Sequence, residues 1–240
     1  MILKDAAGIV TGSSRGLGLA LSKKLTDEGC RLLSEQLFLK SWPNAHDLSI
    51  SYNAYLHVAE ARSQLGKIDF LINNAGYAHP LNPIELINDY AVEQTFKNNV
   101  FTTINMMREV LATMKLQKSG LIINIASKCA ISGRAVPKLA PYCASKAAIL
   151  QLTEAVGKEL KDTKVKVISV SPGGMNTDMR KKVYGEEDAK QQMDPAYIAD
   201  YIIYIMKNSE HVPNGVDFYI TKDQPVLISD AQKIIGWAGS

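Results

Sequence analysis

The chain has 240 residues and a mass of 26.3 kDa, enough to bury a full core without disulfide or metal support. Its 46% apolar and 21% charged residues exclude disorder for the bulk, and a net charge of +3 is too weak to argue for nucleic acid or an anionic membrane. Three cysteines, Cys30, Cys129 and Cys143, leave an odd count with no C-x-x-C, so neither a disulfide framework nor a zinc site is expected, and a reducing, cytoplasmic setting is.

In chain order, Met1 to Ala6 carries no basic stretch ahead of a long apolar core, so no signal peptide is expected, and no segment reaches the ~18 apolar residues of a membrane span. Ala6 to Val10 is a short apolar run closed by Thr11-Gly12, which reads as a buried strand. Leu17, Ala20, Leu21 and Leu25 then share one helical face, and Gly29 stops the helix. Cys30–Leu33, Ile68–Asn73, Leu121–Ile125 and Val165–Val170 read as further strands, and Gly215–Ile220 fits a final one. Asn82-Pro83-Ile84-Glu85 combines a cap, a proline and a returning carboxylate, which predicts a helix start. Asp194-Pro195 predicts another through Met206, and Ser229-Asp230-Ala231-Gln232 a short C-terminal one. Strands alternating with helices imply an α/β fold: one domain over 1–240, a parallel sheet with helices on both faces. The stretch 37–46 is too short for the loop, helix and strand that a crossover there requires.

Between the first strand and helix lies Thr11-Gly12-Ser13-Ser14-Arg15-Gly16-Leu17-Gly18. Glycines let a backbone turn sharply and approach a ligand, and the helix N-terminus beyond offers free N–H groups to a pyrophosphate. A glycine-rich turn can also serve packing alone; its place after a strand and before a helix favours nucleotide binding.

This Thr-Gly-x-x-x-Gly-x-Gly loop resembles that of the short-chain dehydrogenase/reductases. Further blocks follow in the family's order: Asp47-Leu48-Ser49, Asn73-Asn74-Ala75-Gly76, Asn99, Ser127, Tyr142-Cys143-Ala144-Ser145-Lys146, and Pro172-Gly173-Gly174-Met175-Asn176-Thr177. The resemblance spans about residues 5–207 and implies a Rossmann-like doubly wound sheet binding NADP(H) or NAD(H). It further implies Asn99, Ser127, Tyr142 and Lys146 as catalytic residues. Gly12, Ser13, Ser14, Arg15, Gly16, Leu17, Gly18, Asp47, Leu48, Asn74, Ala75, Gly76, Tyr142, Lys146, Pro172, Gly173, Met175 and Thr177 would bind cofactor.

With 10 Tyr and 21 Lys, chance alone yields about one Tyr-x-x-x-Lys. Spacing gives it meaning: Tyr142 and Lys146 stand one above the other on a helix, and Ser127 ends a strand, where α/β crevices lie. Hydride transfer to a carbonyl needs a proton donor, and a free tyrosine at ~10 is poorly matched to neutral pH. A lysine ammonium one turn away and the cationic oxidised nicotinamide would draw it down. The resemblance gives Lys146 the nicotinamide ribose as well, and Asn99 a water of the proton relay.

Departures from the family pattern accompany the match. Fourteen residues separate Ser127 from Tyr142, where about twelve are usual. Lys128 and Cys129 stand where small apolar residues are usual, and are expected at the crevice rim. Cys143 is expected to be a packed thiol. Arg15 in the glycine loop favours NADP(H) through a 2′-phosphate, as does Gln36 at the selecting position, whereas Glu35 beside it favours NAD(H). Residues 178–193 take the place of a substrate lid and read as a solvated flap, in which Met179 and Tyr184, with Met175 before it, could touch substrate. The tail 221–240 lacks the family's Asp-Gly-Gly. The partners expected are a small carbonyl or alcohol substrate and further copies of the chain, as dimer or tetramer. None of His46, His57, His79 and His211 shows metal-ligand spacing.

Overall fold

The computed structural model describes residues 1–33, 47–222 and 225–227. The short stretch 37–46, the Glu35 and Gln36 pair and the capping box at 229–232 lie outside the described residues.

Among the described residues, seven strands form one sheet in the order β2-β1-β3-β4-β5-β6-β7. They are β1 (Ala7–Val10), β2 (Arg31–Leu32), β3 (Phe70–Asn73), β4 (Gly120–Ile125), β5 (Val165–Pro172), β6 (Asp217–Ile220) and β7 (Pro225–Leu227). All pair in parallel except β7, which is antiparallel to β6. The predicted α/β class and parallel sheet are therefore present. From β1 the chain moves outward to β2, then returns to place β3 on β1's other side. That reversal opens a crevice at the C-terminal ends of β1 and β3.

The strands are apolar on both faces because both are covered. Phe70, Ile72, Ile123 and Ile125 pack with Leu17, Leu21 and Leu25 of α1 (Gly16–Asp27) and with helix Pro195–Lys207. The intervening Leu71 and Ile122 face the other way, onto α2 (Ser51–Leu65) and helix Thr102–Gln117, through Val58, Met106 and Val110. Each large side chain so buried contributes about 1.5–3 kcal/mol.

The helix predicted from Asn82-Pro83 does not form there. Only the 3-10 turn Ile84–Leu86 follows, because Ile87 is extended (φ −84°, ψ 119°). The helix proper, α3 (Asp89–Phe96), starts where the Asn88 side chain accepts from the Ala91 N–H at 2.8 Å. A π-turn (Lys97–Phe101) joins it to α4 (Thr102–Gln117). The remaining helices are α5 (Ala140–Glu159), α6 (Asp178–Tyr184), α7 (Glu186–Lys190) and α8 (Pro195–Lys207). Asp194 caps α8 as predicted, accepting from the Ala196 N–H. Among the described residues no helix is long and apolar enough to cross a membrane, and no group of His, Cys, Asp and Glu could hold a metal.

Candidate functional site

Two adjoining cavities open at the C-terminal ends of the strands. The first, about 260 Å³, is a groove between the glycine loop, the β3 end and α5. Gly12 turns the chain with φ +65°, a conformation that resists a side chain, and a Cβ on Gly18 would lie 2.1 Å from the Gly12 carbonyl. The loop therefore sits tight on α1. No carboxylate occupies the first turn of α1, and Arg15 at its N-cap makes no side-chain cap, so no side chain from either source takes the N–H groups there. Thr11 Oγ1 accepts from the backbone N–H of Asn74 and of Ala75, each at 3.0 Å, and Asn74 Nδ2 donates to the Thr11 and Gly12 carbonyls. The ends of β1 and β3 are thus one rigid wall. Glycines without room for side chains, a helix N-terminus and a basic residue suit a dinucleotide pyrophosphate.

Gly12, Ser14, Arg15, Gly16, Leu17, Asn74, Ala75, Gly76, Tyr142, Lys146, Met175 and Thr177 all border this groove. Ser13 and Gly18 lie in the same loop and helix start. Asp47 and Leu48 are not among the groove's lining residues: the Asp47 carboxylate accepts from the Ser49 N–H and hydroxyl, and Leu48 packs partly into the core. Asn98, not singled out in the sequence, does line it.

The second cavity, about 100 Å³, is mostly apolar. Ser127, Tyr142 and Gly173 border it, as do Val136, Leu139, Met179, Val183 and Tyr184; Pro172 ends β5 just before. Val136 and Leu139 come from the long connection between Ser127 and Tyr142. That loop is anchored: Arg134 stacks over the Tyr219 ring, 4.7 Å from its centroid. The stretch 178–193, expected as a solvated flap, instead forms α6 and α7 and makes one wall. Arg180 pairs with the Asp188 carboxylate and lies 3.6 Å above the Tyr184 ring, tying the two short helices together.

Tyr142, Met175, Thr177 and Met179 border both cavities. Ser127 follows β4 with extended backbone and borders the second cavity together with Tyr142. Burial pushes the Tyr142 hydroxyl above its ordinary range, the neighbouring Cys129 adds to this, and the nearby Ser127 hydroxyl opposes it. The expectation that Lys146 would draw the tyrosine down is not met in this structure. Lys146 stands one turn along α5 but gives its Nζ to the Ile125 carbonyl at 2.8 Å, and burial dominates the tyrosine. Burial likewise lowers Lys146, to about 8. Asn99 lies in the π-turn, the kind of helix irregularity often found at functional sites. Its side chain accepts from the Tyr77 N–H (2.7 Å) and donates to the Tyr77 carbonyl and Ser145 Oγ. A ladder from Asn73 through Asn124 to Thr153 fixes α5 against β3 and β4. Lys128 is exposed at the rim as expected, but Cys129 is buried; Cys143 is a packed thiol as expected, in one buried cluster with Cys129 and Leu139.

A family model described as short chain dehydrogenase matches residues 7–188. An uncharacterized oxidoreductase of Staphylococcus epidermidis is 31% identical over 227 residues, covering 88% of this chain and 94% of its own. Another, from Staphylococcus aureus, is 32% identical over 230 residues, covering 88% and 95%. Among solved structures, 3-ketoacyl-(acyl-carrier-protein) reductase from Brucella melitensis complexed with NADH shares 23% identity with a TM-score of 0.81, over 91% of this chain and 97% of that one. Levodione reductase shares 24% with a TM-score of 0.79, over 90% and 96%. At these identities the two structures speak for the fold. The chain belongs to the short-chain dehydrogenase family and is an NAD(P)-dependent oxidoreductase of that family.

Proposed function

We propose that this dehydrogenase interconverts a carbonyl compound and its alcohol with NADP(H), using Tyr142 as general acid/base. The observation that carries the reading is the position of Tyr142, the ionisable side chain on the wall shared by an apolar pocket and a glycine-lined groove, with Ser127 bordering the same pocket.

The glycine loop and the first turn of α1 would hold the pyrophosphate, and Lys146 the nicotinamide ribose. The bound dinucleotide supplies or accepts the hydride. In the reductive direction, the Ser127 hydroxyl holds the substrate oxygen and Tyr142 delivers its proton there. Burial pushes the Tyr142 hydroxyl up, so it enters this direction protonated, as a donor must be. Asn99 acts by holding the 77 segment and α5 in place, with the water of the proton relay as its further role. Helices α6 and α7, within 178–193, serve as the substrate lid. Arg15 borders the groove and has no ion pair among the described residues, which leaves its guanidinium for a 2′-phosphate. We place the protein in the cytoplasm as a homo-oligomer, with the exposed Tyr90, Phe101 and Ile104 of the α3–α4 arm as candidate contacts; light scattering on the purified chain measures the assembly.

The test is Tyr142→Phe. Carbonyl reduction should fall by about 10²–10⁴-fold while NADPH still binds, as read by fluorescence titration; near-normal turnover sinks the assignment. Arg15→Glu in the same titration should weaken NADPH about tenfold or more and leave NADH nearly unchanged. Equal weakening, or parent affinity greater for NADH, assigns the protein to NAD(H) instead.

A further inference from the structure

Beside the proposed proton donor lie two thiols that hydride chemistry does not use. Cys129 sits in the 3-10 turn Lys128–Ala130, its backbone N–H directed at Ser127 Oγ (3.4 Å). Cys143 follows Tyr142 in the first turn of α5. Both are nearly enclosed, at 5% and 7% exposure, and share one small buried cluster with Leu139. Cys129 borders the apolar pocket, and Cys143 follows Tyr142, which borders it too, so the pair lies against the wall of the crevice.

Their surroundings divide their roles. The neighbouring Cys129 thiol lowers the Cys143 pKa, and the positive end of α5 acts in the same sense. Cys129 is pushed up, so Cys143 is the more acidic thiol of the two, suited to attack, and Cys129 is suited to resolve. Cys30 provides the contrast: it is buried elsewhere, donates to the Leu3 carbonyl, and is pushed up to about 11.

We propose that Cys129 and Cys143 are an oxidisable dithiol, converted to an intramolecular disulfide by a peroxide, which disables the adjacent Ser127–Tyr142 pair until a dithiol reductant restores it. In the first step the Cys143 thiolate attacks one peroxide oxygen. The O–O bond breaks, an S–O bond forms, and the leaving hydroxide takes the Cys129 proton as water. In the second step the Cys129 thiolate attacks the Cys143 sulfenic sulfur. The S–S bond forms, the S–O bond breaks, and hydroxide leaves, taking a proton from solvent to become water. The protein gives two electrons and the Cys129 proton to the peroxide, which with one proton from solvent becomes two waters. A disulfide of about 2 Å draws the turn after Ser127 toward the start of α5. Ser127 lies two residues before one sulfur and Tyr142 one before the other, so both reacting hydroxyls shift. A displacement of about 1 Å costs about 100-fold in rate. The loss of activity rests on the function proposed above; the disulfide does not.

The experiment treats the reduced protein with hydrogen peroxide, maps peptides by mass without reduction, and assays NADPH-dependent carbonyl reduction before and after dithiothreitol. The expected result is one linked pair containing Cys129 and Cys143, Cys30 still free, and a loss of about 100-fold that dithiothreitol reverses. Cys143→Ser, which leaves every cavity-lining residue in place, should keep its activity in peroxide. A map with Cys129 and Cys143 unlinked overturns the proposal, whether or not Cys143→Ser folds. A linked pair with undiminished turnover overturns the switch. If the linked pair forms in a protein that reduces no carbonyl before treatment, the dithiol stands and the proposed function fails.

Discussion

Each end of the sheet holds a lysine withdrawn from water, and the two are used differently. At the N-terminal end, Lys166 of β5 donates its Nζ to three carbonyls, those of Ser209, Glu210 and Val212, at 2.7–2.8 Å. All three of its protons are spent on the 3-10 turn Ser209–His211 after α8 and on Val212 just beyond it. At the C-terminal end, Lys146 is more deeply buried, yet donates to one carbonyl, that of Ile125, with its remaining donors at the groove. The first lysine is structural because it is satisfied; the second is held ready because it is not. Volume gives the opposite ranking: the cavity near Lys166 is about 700 Å³, against about 260 Å³ at the groove. Incompletely satisfied polar groups, rather than space, mark the end where the chemistry belongs.

The comparison is broken most directly by Lys146→Met. Carbonyl reduction should fall by about 10²–10⁴-fold. Stability should not fall, because an ammonium that burial lowers from 10.5 to about 8 costs the folded state about 3 kcal/mol at neutral pH, which offsets the orphaned Ile125 carbonyl. Denaturant unfolding at neutral pH reads this. Lys166→Met should do the reverse: turnover near that of the parent, with about 1–3 kcal/mol of stability lost as three carbonyls lose their donor. If the two variants lose equal stability, the distinction between the lysines fails.

A smaller, sharper effect lies in the pH dependence. Lys146 titrates lower in the folded chain, so between about 8 and 10.5 the unfolded chain binds more protons. Parent stability therefore rises with pH across that window relative to Lys146→Met, and any advantage of the variant at neutral pH disappears by about pH 10. Unfolding curves for both proteins at paired pH values measure the difference. A gap that stays constant through the window would show that Lys146 titrates normally.

Much of this was legible in the residues. The β1, β3, β4 and β5 runs are apolar on successive residues because both sheet faces are covered, so strand existence survived from sequence to structure with shifts of one or two residues at the ends. The ordered blocks from Thr11 to Thr177 named the groove. Other features were not legible. Asn82-Pro83 carries a stronger local start signal than Asn88, yet the extended Ile87 hands the cap to Asn88. The polar composition of 178–193 suggested solvation, but Arg180 is occupied by Asp188 and Tyr184, and the segment becomes a wall. Asp47 matched a family block by type, and the structure turns its carboxylate to Ser49.

By itself the sequence determined the α/β alternation, the glycine turn and the four-residue spacing of Tyr142 and Lys146, because these follow from local geometry and hydrophobic period. Only the tertiary structure decided that Cys129 and Cys143 meet, that Tyr142 stands between two cavities, and that its hydroxyl titrates upward. Those outcomes depend on which distant elements exclude water from a side chain, and desolvation is a property of the packed assembly of elements, not of neighbours in the chain.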